Sequence, residues 1–495
     1  MKSEVRPSTI QNLLDRAAKK KYSQYLVKAT LRHVRGFISQ PVSFDFPVTA
    51  IIGPNGGGKT TVLGAAAIAY RDMAPRRFFA KGGKYDPSMQ DWSIEYEILD
   101  RNQSPNDSFK RTASFKSSKW NRDAISRPVQ MFGITRTVPA NEQKKYLKLA
   151  TSKFAVPNEQ IENLPAEAVT AISRILGKDA SLYKRLNIHP GGGEFFLTGM
   201  TKNGEEYSEF HFGAGESSVI RMVSVIESAP SESLILIEEL ENGLHPVATV
   251  RMTEYLIEVA DRRKIQVIFT THSDDALRVL PSQAIWVATN DRIFQGKLDI
   301  KSLRAITGET DPNSKLVIFV EDRFAKIWTE AILRQIPKIA LDHIEIHPMK
   351  GDGTAVSVHT HRKEDPSIST PSICLIDGDT LQIEDSKAGI FRFPGAAPEC
   401  EVFDEVLARW STYGGKTAVA LLQRFEDDSK VKAICEQVRL TNMDTHLLFA
   451  QVGEKLGLIP EETVSHAFAN IYAQLKTDKI ASFLQPFIDN LPKEN

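Results

Sequence analysis

The feature that most constrains this chain is the glycine-rich segment 53–60, GPNGGGKT, which lies between an apolar run and an alanine-rich stretch. The apolar run predicts a buried strand, and the alanine-rich stretch predicts a helix. In that order, the backbone N–H groups of the loop and the positive end of the helix surround a phosphate group. Lys59 would neutralise its charge and Thr60 would bind Mg2+. The segment therefore predicts an α/β fold with a nucleotide-binding site.

Length and composition predict a multi-domain globular protein. The chain has 495 residues, of which 41% are hydrophobic, and single domains usually have about 100 to 200 residues. The 62 basic and 62 acidic residues balance, so the net charge does not indicate nucleic-acid binding. The three cysteines show no CxxC spacing. No apolar run reaches the length of about 18 residues that a membrane-spanning helix needs. We therefore expect a cytoplasmic protein without a membrane partner.

Three further segments carry polar residues at the ends of apolar elements. Segment 211–218, HFGAGESS, precedes an apolar-periodic stretch, where its serines and glutamate would also serve as a simple helix cap. Downstream, the apolar run LILI leads directly into Glu238 and Glu239. Two acids at the end of a buried strand suit a Mg2+ ligand beside a general base. Another apolar run, VIF, is followed by TTHS, in which His272 is placed to sense a terminal phosphate.

In this order the segments resemble the nucleotide-binding head of the ABC superfamily, in particular the branch that includes the SMC proteins, over about residues 25–305. They correspond to the Walker A loop (53–60), the signature loop (212–216), the Walker B strand (234–239) and the D-loop (241–246). The resemblance implies ATP and Mg2+ as cofactors, with Glu239 as general base and with Thr60 and Glu238 as metal ligands. The residues that it implies for nucleotide binding are Asn55, Gly56, Gly58, Lys59, Thr60, Thr61, Gln130, Gly213, Gly215, Glu216, Glu238 and His272.

The resemblance also implies an oligomer. Each loop occurs once in the chain, and heads of this kind complete their ATP sites with the signature loop of a second head. We therefore expect a homodimer or a higher homo-oligomer that ATP closes and hydrolysis reopens. Two positions depart from the usual motif: Glu238 stands where Asp is usual, and Gly213 stands where Ser is usual.

A second group of acidic residues follows the turn-rich segment 307–313, where we place a domain boundary. The apolar run LVIFV ends at Glu321, and the later run SICLI ends at Asp377 and Asp379. A single DxD is common on surface turns. Acids at the tips of two parallel strands, however, meet at one edge of a sheet and predict a divalent-metal site. Segment 349–353, MKGDG, predicts a glycine turn between the two strands.

This order of strands and acids resembles the Toprim fold of topoisomerases, primases and OLD-family nucleases, over about residues 313–410. The resemblance implies that Glu321, Asp377 and Asp379 are catalytic and hold Mg2+ or Mn2+. The acidic segment PGAAPECE implies one supporting carboxylate, either Glu399 or Glu401. The sequence leaves the choice between these two residues open.

An ABC head followed by a Toprim module is the architecture of OLD-family ATP-dependent endonucleases. We therefore expect an ATPase domain over 1–308 with a helical insert at about 141–190, a Toprim domain over 313–410, and C-terminal helices over 411–495 packed on the Toprim sheet. The resemblance implies an ATP-regulated, metal-dependent DNA endonuclease that acts as an anti-phage effector. Its modest length and variant motifs resemble the retron-associated members, in which a reverse transcriptase and its RNA-linked DNA are partners.

An alternative function remains open at the level of the sequence. Asp322 and Ala325 stand where the Toprim pattern usually has glycine and an acid. These departures favour an ATP-gated scaffold or sensor that controls a separate toxin or nuclease, whereas the intact DxD favours the enzyme. We predict a structural role for His446 rather than a metal-binding one.

Overall fold

The computed structural model describes residues 5–493 except for 82–84, 87–88, 147–148, 151–153, 189–193, 202, 290, 297–312, 350–352, 365, 367 and 476. It divides into two compact units, Met1–Lys297 and Leu298–Asn495. The predicted boundary at 307–313 lies, apart from its last residue, outside the described residues. The same holds for the middle of the predicted glycine turn at 349–353.

The first unit contains three sheets and, besides the helical residues 149–150, six α-helices among its described residues. Its strands are β1 (Gln24–Val34), β2 (Phe37–Ser43), β3 (Val48–Ile52), β4 (Trp92–Asp100), β5 (Phe109–Lys116), β6 (Lys119–Arg122), β7 (Val129–Phe132), β8 (Ile161–Asn163), β9 (Lys184–Asn187), β10 (Phe195–Met200), β11 (Glu206–Ser208), β12 (Leu234–Ile237), β13 (Gln266–Thr270), β14 (Ile285–Ala288) and β15 (Ile293–Gln295). Its α-helices are α1 (Pro7–Ala18), α2 (Lys59–Ala67), α3 (Ala166–Leu176), α4 (Ala214–Ser228), α5 (Pro246–Arg263) and α6 (Asp274–Leu277).

The central sheet of this unit has the strand order β15-β14-β3-β13-β12-β7. All neighbouring strands are parallel except β14 and β15. Every residue of β3, β12 and β13 is buried, as is typical of parallel strands that are covered on both faces. The loops that follow these three strands are the Walker A loop, the Walker B acids and the segment with His272. The topology therefore brings the three predicted loops to one edge of the sheet.

Two antiparallel sheets complete the unit, with the orders β2-β1-β4-β5-β6 and β11-β10-β9-β8. The second of them takes up part of the segment at about 141–190, where we expected a helical insert. The described part of that segment contains α3 and the helical residues 149–150. It also contains the short strands β8 and β9, which pair with each other, while β9 also pairs with β10, outside the segment. Local helix propensity could not show that pairing.

The second unit combines a parallel sheet with helices. Its strands are β16 (Leu316–Val320), β17 (Ile344–Pro348), β18 (Ser372–Ile376) and β19 (Ile390–Arg392), and they form a parallel sheet in the order β17-β16-β18-β19. Its α-helices are α7 (Arg323–Leu333), α8 (Thr354–Glu364), α9 (Pro398–Ala408), α10 (Trp410–Ala420), α11 (Asp428–Thr441), α12 (Leu448–Lys455), α13 (Glu461–Leu475) and α14 (Thr477–Leu484).

One hydrophobic core joins the sheet of the second unit to its C-terminal helices. Trp328 of α7 is fully buried, stacks on Phe393 with ring centroids 4.7 Å apart, and meets the ring of Tyr472 edge-on at 5.3 Å. These three side chains come from α7, from the end of β19 and from α13, so the helices and the sheet are stabilised together. Among the described helices, none combines the length and the hydropathy that crossing a bilayer requires.

Candidate functional site

The Walker A loop has the backbone that close approach to a phosphate requires. Gly53 has φ +150° and Gly58, immediately before α2, has φ +99°. A Cβ at Gly53 would lie 2.1 Å from the carbonyl oxygen of Ala288, and one at Gly58 would lie 2.4 Å from the Phe37 ring. Only glycine accepts both the conformation and the crowding at these two positions. The loop therefore directs its N–H groups and the N-terminus of α2 toward one point, as an anion site requires.

Lys59 is the buried cation of this loop. Its Nζ donates to the carbonyl oxygens of Gly53 at 3.0 Å and Pro54 at 2.9 Å. Burial lowers the pKa of Lys59 to about 8, while the nearby charges of Glu239 and Glu241 act in the opposite direction. An ammonium group that is desolvated in this way gains most from a phosphate anion, because the anion restores a charged partner.

The other residues of this segment that were predicted to bind nucleotide differ in their exposure to solvent. Asn55, Gly56 and Thr60 are exposed, so they are open to a ligand, whereas Thr61 is buried. The Oγ1 of Thr61 accepts a hydrogen bond from Nη1 of Arg35 at 2.5 Å. The hydroxyl of Thr60 is therefore the better placed of the two to bind a cation beside the phosphates.

The two Walker B acids follow β12 directly. Glu239 has φ +47°, a left-handed conformation that turns the chain sharply after the strand. Its N–H donates to Thr270 Oγ1 at 2.9 Å, and its Oε2 accepts from Asn242 Nδ2 at 2.5 Å. The Oε2 of Glu238 faces Gly133, where an added Cβ would approach it to 3.3 Å. Both carboxylates are thus held at the edge of the sheet that also carries Lys59.

Glu241 connects the D-loop to the segment that contains His272. Its carboxylate accepts from Thr271 Oγ1 at 2.7 Å and from the backbone N–H of His272 at 2.6 Å. Burial lowers the pKa of His272, and the charge of Lys59 lowers it further, while Glu241 and Glu239 raise it. His272 therefore lies within electrostatic reach of both the Walker A lysine and the Walker B acid.

Sequence reasoning missed Arg136, which lies in the short 3-10 turn Ile134–Thr137 after β7. Its guanidinium donates to the carbonyl oxygens of Glu238 and Glu239, at 2.6 Å in each case. Burial lowers the pKa of Arg136 to about 10, and the three nearby glutamates oppose this. Gln130 lies in the body of β7 opposite Ile235, two positions before the strand end. Arg136 is therefore the polar residue of the turn after β7 that contacts the Walker B backbone.

The signature loop begins α4 and packs on the D-loop. Gly213 is the N-cap, with open space around an added Cβ, whereas a Cβ at Gly215 would lie 1.9 Å from the carbonyl oxygen of Gly243. Glu216 Oε1 accepts a hydrogen bond from the Tyr183 hydroxyl and another from Lys178 Nζ at 3.2 Å. The backbones of the signature loop and the D-loop are thus in direct contact at Gly215 and Gly243.

Two protein-family models match this part of the chain. One, described as "AAA domain", matches residues 28–209, and the other, described as "AAA domain, putative AbiEii toxin, Type IV TA system", matches residues 145–278. No curated protein matches the chain. The two family matches and the loop geometry together support an AAA-type ATPase domain in the first unit, with ATP as its nucleotide.

Several solved structures are similar to the chain at low identity. The SMC head domain from Thermotoga maritima is 14% identical, with a TM-score of 0.35, and the match covers 55% of this chain and 99% of that one. The Smc head domain with an extended coiled coil from Pyrococcus furiosus, bound to the C-terminal domain of ScpA, is 11% identical, with a TM-score of 0.37 and coverages of 58% and 99%. An ATP-binding cassette of an ABC transporter in its ADP conformation is 10% identical, with a TM-score of 0.29 and coverages of 58% and 96%.

The second unit brings a separate group of acids to the carboxyl edge of its sheet. Val320 of β16 pairs with Leu375 of β18 in a parallel register, so the residues that follow the two strands start about 5 Å apart. We call this group the acidic centre; it consists of Glu321, Asp322, Asp377, Asp379 and Glu399. Burial raises the pKa of Asp377 to about 8, and the charges of Asp322, Glu321, Glu399 and Asp379 raise it further.

The acidic centre has the chemistry of a divalent-cation site. Asp377 is 8% exposed, and its Oδ1 is buried with no hydrogen-bond partner among the described residues. A buried carboxylate oxygen that lacks a donor is costly unless a cation or a proton satisfies it. Oxygen ligands of this kind are those that Mg2+ and Mn2+ prefer. The residues therefore fit the cation that the sequence predicted.

The DxD loop is held by its backbone. Nη1 of Arg392, at the end of β19, donates to the carbonyl oxygens of Asp377 at 2.9 Å, Gly378 at 3.1 Å and Thr380 at 3.2 Å. A Cβ at Gly378 would lie 2.0 Å from the carbonyl oxygen of Gly395. The loop geometry thus depends on Arg392 and on the glycine between the two aspartates, and the DxD pattern revealed neither requirement.

The structure distinguishes between the two supporting glutamates. Glu399, in the first turn of α9, is buried and contributes to the field at Asp377. Glu401 instead forms an ion pair with Lys479 Nζ and accepts from the Tyr472 hydroxyl at 3.1 Å. Glu399, and not Glu401, is thus among the carboxylates whose charge acts on Asp377.

Two further residues, Asp322 and His446, lie in this region. Asp322 caps α7 by accepting from the Ala325 N–H at 2.7 Å, and it also contributes its charge to the acidic centre. His446, predicted to be structural, lies with its Nδ1 3.0 Å from Glu399 Oε1. The position of Asp322 directly after Glu321 at a strand end was a usable signal. His446 is 47 residues from Glu399, and only the packing of the C-terminal helices brings the two together.

Proposed function

We propose that the chain is an ATP-controlled, divalent-metal-dependent DNA endonuclease of the OLD type, with a Toprim-like second unit. The observation that carries this proposal is the acidic centre, in which the carboxylates that follow two parallel strands and one carboxylate of α9 act electrostatically on Asp377, whose buried Oδ1 has no hydrogen-bond partner among the described residues. Carboxylate clusters of this kind serve phosphodiester hydrolysis, in which both the attacking and the leaving oxygen carry developing negative charge.

In this proposal Glu321, Asp377 and Asp379 hold Mg2+ or Mn2+, and Glu399 supports them. The bound cation would stabilise negative charge on the attacking and leaving oxygens. The carboxylates position the attacking water and accept its proton as its oxygen bonds to phosphorus and the bond to the leaving sugar oxygen breaks. Arg392 holds the DxD loop in place through the three backbone carbonyls.

ATP control would come from association of two heads. Glu239 would act as general base for the water that attacks the γ-phosphate, and Thr60 and Glu238 would hold Mg2+. Gly213 and Glu216 would contact the ATP that is bound to a partner head. The contact between Gly215 and Gly243 supports this arrangement, because it makes the signature and D-loops move as one body. ATP binding and hydrolysis would then switch the assembly between two states.

The proposed role is anti-phage defence, with DNA as the substrate and with a reverse transcriptase and its RNA-linked DNA as the candidate regulatory partner. The family model whose description names a toxin supports a role in such a system. The second candidate function is an ATP-gated scaffold that controls a separate toxin, which Ala325 favours because an acid is usual there. The retained acidic centre favours the nuclease.

The test is cleavage of supercoiled plasmid with Mg2+ or Mn2+, with and without ATP. Asp377→Asn should abolish nicking and linearisation while ATP binding stays unchanged, because the change is confined to the acidic centre. Glu401→Gln is the matched control on the same helix as Glu399, and it should retain cleavage where Glu399→Gln loses it. Cleavage by Asp377→Asn would refute the assigned site. A wild-type protein that is inactive with both metals in the presence and absence of ATP would favour the scaffold.

A further inference from the structure

Asp322, Glu399 and His446 form a compact group of three different donors. Each offers a ligand atom, and these atoms lie within 4.8 Å of one another. They come from the residue after β16, the first turn of α9 and the short 3-10 turn Thr445–Leu447 before α12. A cavity of about 480 Å³, lined by all three residues, opens onto the group. A solvent ion therefore has a route to these donors.

We infer that Asp322, Glu399 and His446 form a cation subsite with one imidazole ligand, which binds a first-row transition-metal ion in preference to Mg2+. The inference deepens the proposed nuclease and rests on it, since the subsite shares Asp322 and Glu399 with the acidic centre and would determine which metal serves it. Its test does not require that the chain cleaves DNA, because metal binding is measured separately.

The distances suit coordination by one ion. Bonds from a transition-metal ion to imidazole nitrogen and carboxylate oxygen are about 2.0 to 2.2 Å long, so two ligands on opposite sides of the ion are about 4 Å apart. Closing the three ligand atoms onto one ion therefore requires movements below about 1 Å. His446 Nδ1 already lies 3.0 Å from Glu399 Oε1, and the hydrogen bond from the Ala325 N–H orients the Asp322 carboxylate.

A second observation concerns Asp377, which belongs to the acidic centre together with Asp322 and Glu399. The Oδ1 of Asp377 is buried and lacks a hydrogen-bond partner among the described residues. The His446 imidazole is the cationic group whose charge acts on Asp322 and Glu399. One histidine cannot balance this concentration of buried carboxylates, and a divalent ion would supply the missing charge.

The donor set indicates the class of metal. Mg2+ is a hard ion that prefers oxygen ligands and retains its water shell. Imidazole instead suits transition-metal ions, whose affinity for a given site rises from Mn2+ to Co2+ and beyond. His446 therefore gives the subsite a preference that carboxylates alone would not provide. It also explains why the chain combines a full set of acids with a nearby histidine.

The test measures binding of Mn2+ to the full-length protein without nucleotide, by electron paramagnetic resonance. In the wild type, electron spin-echo modulation should show a directly bound 14N nucleus, and titration should give a dissociation constant at least about tenfold lower for Mn2+ than for Mg2+. His446→Ala should remove the nitrogen signal and weaken Mn2+ binding about tenfold or more, with less than about a threefold change for Mg2+. His33→Ala, which removes an exposed histidine of the first unit, should change neither.

The outcomes separate this inference from the proposed function. A wild-type protein that lacks the 14N signal, or a His446→Ala protein that keeps it, overturns the inference even if plasmid is cleaved. A nitrogen signal that depends on His446, in a protein that does not cleave plasmid, supports the subsite and refutes the nuclease. Circular dichroism of each variant verifies that the fold is retained, and His446→Gln provides a second variant if the alanine variant is unfolded.

Discussion

Replacing Gly215 with alanine should disrupt the contact between the signature loop and the D-loop. The new Cβ would lie 1.9 Å from the carbonyl oxygen of Gly243, whereas such contacts essentially never fall below 3.0 Å. Both groups are backbone, so no side-chain rotation relieves the clash, and one loop must move by about 1 Å or more. Overpacking of this kind lowers the free energy of unfolding by about 1 to 3 kcal/mol. The higher helix propensity of alanine offsets up to about 1 kcal/mol of this loss.

The expected net loss is therefore about 1 to 2 kcal/mol in the free energy of unfolding. For a domain of this size it corresponds to a fall of roughly 2 to 8 °C in Tm. Thermal unfolding followed by circular dichroism measures it, and a coupled assay measures the ATPase rate. We expect that rate to fall at least about tenfold, because the displaced loops are those that would meet a second head.

Gly213→Ser is the control for stability. An added Cβ at Gly213 has nothing within 4 Å, and Gly213 is the N-cap of α4, where serine is a favourable residue. Its Tm should equal or exceed that of the wild type. If Gly215→Ala melted within about 1 °C of Gly213→Ser and kept its ATPase rate, the argument from the backbone contact would be refuted.

Three further predictions concern other parts of the molecule. Arg136→Ala should lower the ATPase rate at least about tenfold, since it removes two charge-assisted hydrogen bonds to the Walker B backbone; an unchanged rate would show that this backbone needs no support. Gly378→Ala should abolish plasmid cleavage and weaken Mn2+ binding, because its Cβ would meet the Gly395 carbonyl oxygen at 2.0 Å and displace the DxD loop; calorimetric titration that finds wild-type Mn2+ affinity would contradict this. Trp328→Ala should lower the free energy of unfolding by about 3 to 5 kcal/mol, since the side chain is fully buried, and urea denaturation measures the loss.

Much of the strand pattern was readable from the sequence. The apolar runs predicted at 48–52, 234–237 and 372–376 are strands with the same bounds, and the run predicted at 315–320 is a strand from Leu316 to Val320. All residues of these four strands are buried except Ser372, so each strand consists mostly of apolar residues. The polar residues that follow directly after such strands were predictable too, because the end of each apolar run marks their position.

The sequence by itself determined the ATPase loops and the position of the acids that follow β16 and β18, because each motif needs its residues at short, fixed spacing along the chain. Only the tertiary structure paired Glu401 with Lys479, brought His446 to Glu399, and placed Arg136 against the Walker B backbone. These contacts depend on how α9 packs against α14 and on how the strands align with one another. Such contacts are set by packing over the whole core, which no local segment encodes.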